Sequence, residues 1–384
     1  MRFPLAIFVT VAFLASQAFA QEVRRALPAA EPDSPNAIAK FLAGVPLPAE
    51  SPLAALQKSS DYKRHISELS QLSQHYDKSH FAKMRAWSAA ELAPRIPMDR
   101  PVIYFFGGPD SVSPLAYYPN APVYILGGLE SVGSIASPET LTPQAVTEGL
   151  DNLRKSTQSI LSFGHFITKD MKAELDQTAF RGVTPVILTF LAMANMDVVS
   201  LNYVGVKSDG SLQEYAGPVE GKGVLPGVKI VFRRGASSSP QTLYYIQANV
   251  VDDSLKSNGA LLKWTSSFGA GNVYLKAASY LMHEEYFSRI RNFLLSDAIS
   301  VLQDDSGIPF KYFQDGNWRC WLFGSYVGTL DIFKKYYQPD FAKAYTVADG
   351  VAPIPFGTGY KWREGQSNLL LAVRQQVPRA EPAR

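Results

Sequence analysis

The sequence predicts an α/β protein, with α+β as the alternative: a mixed, mostly parallel sheet flanked by helices. Two observations carry this expectation. Short apolar runs (Val102–Phe106, Val123–Leu126, Leu243–Val250, Ala298–Gln303) alternate with longer stretches of helical periodicity. Helices of that length between consecutive strands are what parallel crossovers require. No fixed-period repeat is present, which argues against a solenoid or propeller.

The elements follow in chain order. Met1 and Arg2, an apolar run from Phe3 to Ala15, and the small residues Ala18 and Ala20 before Gln21 form a secretory leader over 1–20, too short to span a bilayer stably. Residues 21–55 carry Pro28, Pro32, Pro35, Pro46, Pro48 and Pro52 and read as a linker or strap, with room for a helical turn or two over 36–42. Over 56–100, Tyr62, Ile66, Leu69, Leu72 and Tyr76 recur at helical spacing, and Phe81, Met84 and Trp87 continue it after a short break.

The main α/β domain is expected over 101–377. Its first two strands end at Gly107-Gly108-Pro109-Asp110 and Gly127-Gly128-Leu129-Glu130. A helix is expected over 142–161, where Thr142-Pro143 supplies a cap and a first-turn proline. Further helices are expected over 169–177 and 185–196. Strands follow over 198–206, 229–233 and 243–250, then a helical stretch over 254–267. The run Val273–Ala278 fits strand or helix, 283–295 reads as helix, and the strand 298–303 ends at Asp304-Asp305-Ser306-Gly307. Residues 378–384 are a polar, frayed tail.

Composition narrows the class. The formal charge is +3, or +2 once the leader takes away Arg2 and no acid. No long block of Lys and Arg stands out, so a nucleic-acid groove is not expected. No transmembrane span is expected after leader cleavage. Cys320 is the only cysteine, so no intramolecular disulfide is available, and its aromatic surroundings favour a buried, inert thiol.

Chemistry is expected at the strand ends. In an open α/β sheet, ligands bind in the crevice beyond the carboxyl ends of the strands. Asp110, Glu130, Asp304 and Asp305 lie just past such ends as candidate catalytic carboxylates, and Asp252 and Asp253 follow another. Gly107, Gly108, Gly127 and Gly128 let backbone approach a ligand, and Ser306 adds a hydroxyl. Paired carboxylates serve hydrolysis as acid and base; with a third oxygen ligand, Asp304 and Asp305 would suit Ca²⁺ or Mg²⁺. Asp after a strand is equally a turn former or helix cap.

Other motifs fail on inspection. Four residues after His283 stands Phe287, so the zinc-protease helix is incomplete, and Phe323 spoils the serine elbow around Ser325. No phosphate-binding glycine motif is present, and no nucleotide cofactor is expected. His165, beside Gly164, reads as a helix-end residue. Tyr117-Tyr118, Tyr244-Tyr245, Trp318, Trp321, Tyr336-Tyr337 and Trp362 are candidates for stacking a saccharide or packing a peptide.

The segments Phe105–Asp110, Tyr118–Ala121, Leu126–Glu130 and Gln303–Pro309 resemble a group of exported bacterial proteins of unassigned function. The resemblance covers roughly residues 100–340. It implies that these segments belong together and brings no activity. The expectation is a periplasmic or secreted protein: a hydrolase acting on an envelope or external ligand, a saccharide- or peptide-binding protein, or a structural envelope protein.

Overall fold

A computed structural model describes residues 34–165, 178–219, 221, 223–257, 259–348 and 350–375. The expected leader over 1–20, the helix expected over 169–177 and the tail expected from 378 lie outside the described residues.

Ten strands form one sheet: β1 (Val102–Tyr104), β2 (Val123–Gly128), β3 (Asp197–Lys207), β4 (Leu212–Tyr215), β5 (Val224–Arg233), β6 (Gln241–Gln247), β7 (Gly271–Leu275), β8 (Ala298–Gln303), β9 (Trp318–Gly324) and β10 (Asn368–Arg374). Their spatial order is β4-β3-β5-β6-β2-β1-β7-β8-β10-β9. The centre, β6-β2-β1-β7-β8, is parallel, and both flanks are antiparallel.

Side chains alternate between two cores. Val102, Tyr104, Tyr124, Leu126, Tyr245 and Tyr274 face one layer, covered by helices Pro35–Leu42, Ser60–Tyr76, Pro143–Phe163 and Val183–Met193. Ile103, Phe105, Ile125, Ile246, Val273 and Leu275 face the other, beneath helices Asp252–Ser257, Ala260–Ser266 and Ser288–Asp297. This is the two-periodicity of strands applied across a three-layer α/β sandwich. The described part of the proline-rich strap packs into the first core: Ile38, Phe41 and Leu42 are buried, and the Asn36 side chain accepts from Val198 N.

Several expectations need correction. The break expected after Tyr76 is absent, because the helical path continues through two π-helical turns, Asp77–Phe81 and Ser88–Leu92, with Ala82–Trp87 between them. β1 stops at Tyr104, since Phe106 turns to φ +70°. The helix expected over 283–295 starts at Ser288. Before it, 281–287 forms two 3₁₀ turns, where the Arg291 guanidinium donates to the carbonyls of Met282 and Glu284. The run from Val273 is strand only to Leu275.

Candidate functional site

The parallel strands place five carboxyl ends on one edge. From β1 the chain steps to β2 and then β6 on one side, whereas β7 and β8 extend the sheet on the other side of β1. The strand order therefore reverses between β1 and β7. At such a switch point the flanking connections leave to opposite faces, opening the crevice that α/β proteins use for ligands.

A cleft of about 170 Å³ opens there, lined by Phe105, Phe106, Gly127, Gly128, Leu129 and Glu130 from the β1 and β2 ends and by Ala277, Ala278, Ser279 and Tyr360. It shares Phe106, Gly108, Glu130 and Ala277 with a smaller polar chamber of about 30 Å³, which Tyr104, Gly107, His165 and Lys276 complete. A water needs roughly 10–15 Å³ of such space, so the chamber has room for about two groups of that size. Glu130 is the only carboxylate lining either space among the described residues.

The backbone around the cleft is strained. Phe106, Ala277, Ser279 and Tyr280 all adopt positive φ, between +50° and +70°, a region that costs a side-chain-bearing residue on the order of 1 kcal/mol or more. The loop after β7 is held there by the acids that follow β8. Asp304 accepts from Ala277 N (3.0 Å) and from Ser306 N and Oγ; Ser306 Oγ accepts from Ala278 N (2.8 Å). Asp305 accepts from the Tyr280 hydroxyl and from Asn368 Nδ2 (2.9 Å) on β10. Tyr360 closes the loop from outside, donating to the Ala277 carbonyl (2.9 Å) and lying 2.6 Å from Ser279 Oγ.

Asp110 is fully buried and ion-paired with Lys276 (2.6 Å), the residue that follows β7. It also accepts from Tyr104 Oη (3.0 Å), Ser113 N (3.1 Å) and Ser113 Oγ (2.8 Å), while Lys276 Nζ also donates to Ser113 Oγ (2.9 Å). Glu130 takes a long hydrogen bond from Tyr245 Oη (3.3 Å), which also donates to the Glu130 carbonyl (2.8 Å). Gly108 runs at φ +54° beside that carboxylate, and a Cβ on Gly128 would stand 2.2 Å from Glu130 Oε2. The two glycines thus clear the space that Glu130 fills. Burial, reinforced by Lys276, holds the His165 imidazole below its ordinary pKa and hence neutral at pH 7.

The four expected acids thus separate into two groups. Glu130 reaches the cleft, and Asp110 stands behind the chamber, one hydrogen bond away through Lys276 and Tyr104. Asp304, Asp305 and Ser306 sit beneath the loop as its hydrogen-bond acceptors. Burial pushes the Asp304 and Asp305 carboxyls upward, with Asp305 adding to the effect on Asp304. Gly107, Gly108, Gly127 and Gly128 line the two spaces. Asp252 instead accepts from Ser288 Oγ and Arg289 N at the start of a helix, and Asp253 pairs with Lys256 on the surface.

The described residues hold no group of three or more His, Cys, Asp and Glu spaced for a metal ion, and internal donors occupy the oxygens of Asp304 and Asp305. Tyr117, Tyr118 and Tyr245 are core residues, not groove lining, and Trp362 stacks on His80 at 3.9 Å. Lys276 and Tyr360 escaped the sequence reading, and His165, read there as a helix-end residue, lines the chamber. The one available sign was a lysine, Lys276, inside the apolar run Val273–Ala278.

Fold and site together define an α/β protein with a strand-end cleft at its topological switch point. Comparison with protein-family models, curated proteins and solved structures gives no match.

Proposed function

We propose that this protein binds a small organic ligand in the switch-point cleft and hydrolyses it, with Glu130 as general base toward a water in the adjoining chamber. The observation that carries the reading is the shared wall: one carboxylate, Glu130, borders both an apolar cleft and a small polar space with room for a water beside a ligand group. The apolar part suits the ligand's body and the polar part its reacting group. Strain concentrated in Phe106 and in 277–280 supports the same assignment, since such backbone persists where the surroundings enforce it. The leader-like pattern of residues 1–20 supports a reaction outside the cytoplasm, on an envelope or external ligand. No helix among the described residues is long and apolar enough to cross a membrane.

The same cleft without turnover is the second reading. It is favoured by the inward bonding of Asp110, Asp304 and Asp305, which leaves one carboxylate at the cleft where glycosidic hydrolysis uses two. A panel of chromogenic esters, amides and glycosides separates the two. Glu130→Gln should lower kcat by about 10²–10⁴-fold, the usual worth of a general base, with little change in Tm. Equal turnover by Glu130→Gln and wild type would refute the hydrolytic reading. Mass spectrometry of the exported protein should find Gln21 as its first residue; a retained leader would refute the export assignment.

A further inference from the structure

We propose that Lys276 is the electrophilic group of this site, donating an N–H to the carbonyl oxygen of a carboxylic ester, with Asp110 and Ser113 as the positioning residues that hold its ammonium. The assignment rests on the hydrolytic reading above and names its substrate class. A lysine ammonium has three N–H donors. Among the described residues Lys276 spends two, on Asp110 Oδ2 (2.6 Å) and Ser113 Oγ (2.9 Å). It is 3% exposed, so its remaining donor is shielded from bulk water, and Lys276 and Glu130 both line the polar chamber. A buried donor needs an acceptor. Fixed charge aimed where negative charge develops is the arrangement that stabilises an acyl-transfer oxyanion.

Size and charge select the ligand. The chamber of about 30 Å³ holds a group the size of a carbonyl and its attacking water, and Glu130 at its wall opposes a phosphate dianion. The apolar cleft takes the acyl or alkyl chain. Water adds to the carbonyl carbon as Glu130 takes its proton, and the π pair moves to oxygen beside Lys276. Collapse re-forms the carbonyl and breaks the carbon–alkoxide bond, and the alkoxide takes the proton from Glu130. Carboxylic acid and alcohol result, with no change of oxidation state.

The test uses butyrate, a short product-like carboxylate, and p-nitrophenyl butyrate with the full mature chain. In protein labelled with ¹⁵N-lysine, butyrate should shift the Lys276 Nζ resonance. Calorimetry should show butyrate binding weakened by about tenfold or more in the charge-neutral double variant Asp110→Asn/Lys276→Met, the loss of one charge-assisted hydrogen bond. Glu130→Gln should bind butyrate at least as well as wild type, a like charge having been removed. The Lys276 assignment is overturned if butyrate leaves the Nζ resonance unmoved, or if the double variant binds within about twofold of wild type. The spectroscopic arm needs no variant and stands even if the double variant fails to fold. Nζ-dependent butyrate binding without ester turnover would overturn the hydrolytic reading and keep Lys276 as a carboxylate receptor. Turnover that depends on Glu130 and not on Lys276 would do the reverse.

Discussion

Removing Lys276 alone should damage the fold more than removing both charges of its pair. Asp110 is fully buried and Lys276 nearly so, and their 2.6 Å contact lies between sheet and helix, away from solvent. Lys276→Met keeps the apolar stem and leaves a buried carboxylate without its counter-charge, a loss that typically costs about 3–5 kcal/mol. Tyr104 Oη, Ser113 N and Ser113 Oγ still donate to Asp110, which places the expected cost near the lower end, about 3 kcal/mol. Adding Asp110→Asn removes the stranded charge while an amide oxygen still accepts from Ser113 N. The double variant should therefore lose only about 1–2 kcal/mol, chiefly through the Tyr104 hydroxyl's weakened bond. Urea denaturation at pH 7 of wild type, both single variants and the double variant measures the cycle. A double variant less stable than Lys276→Met, or a Lys276→Met cost below about 1 kcal/mol, would refute the description of this pair as a buried one.

Three further outcomes are expected. Gly128→Ala puts a methyl 2.2 Å from Glu130 Oε2 and 3.0 Å from Tyr245 Oη, so it should abolish ligand binding while costing about 1–3 kcal/mol; unchanged binding in a folded variant would show that Glu130 has room to spare. Burial pushes Asp304 up to about 6 and holds His65, His80 and His283 down at about 4. The folded state then binds the Asp304 proton more tightly than the unfolded chain, and that contribution to stability falls as pH rises from about 4 to 6. The unfolded chain binds the three histidine protons more tightly, so their contribution falls as pH drops from about 6.5 to 4. Four lowered histidines, His165 being the fourth, against two raised carboxyls, Asp304 and Asp305, make chemical denaturation easier at pH 4.5 than at pH 7, and His65→Gln should flatten the dependence; a steeper one would refute the histidine account. Cys320 is half-buried and not fully buried as expected, and this burial pushes its thiol up to about 12, so iodoacetamide at pH 8 should label it faster in urea than in the native protein, and equal rates would show an unshielded thiol.

How far the sequence disclosed this molecule varies by element. β8 is legible to the residue because Ala298–Gln303, apolar except at Ser300 and Gln303, is closed by the turn residues from Asp304. β9 and β10 are not: Trp318–Gly324 carries Arg319 and Cys320, and Asn368–Arg374 is rich in Leu and Ala, which suit a helix as well as a strand. Pairing of these two segments with each other, and of β10 with β8, decides for strand, and pairing across 43 intervening residues, 325–367, leaves no local trace. The turn at Phe106 hid for a similar reason, since a bulky residue at positive φ contradicts its own preference and is imposed from outside. At the site, the Gly-Gly turns and Glu130 were readable from strand-end logic. The partnership of Asp110 with Lys276 was not, because 166 positions separate two residues that only the β1–β7 neighbourhood unites.

The position of β10 has a consequence for how the molecule comes into being. The last described strand in chain order lies between β8 and β9, which precede it, and pairs with both. Until it arrives, β8 and β9 each present a bare edge, and the carboxylate of Asp305 lacks Asn368. A chain emerging from its amino end therefore cannot seal its sheet or set the loop over the cleft before its carboxyl-terminal part is free. A truncation that ends before Asn368 should yield a species with two exposed strand edges, prone to associate edge to edge.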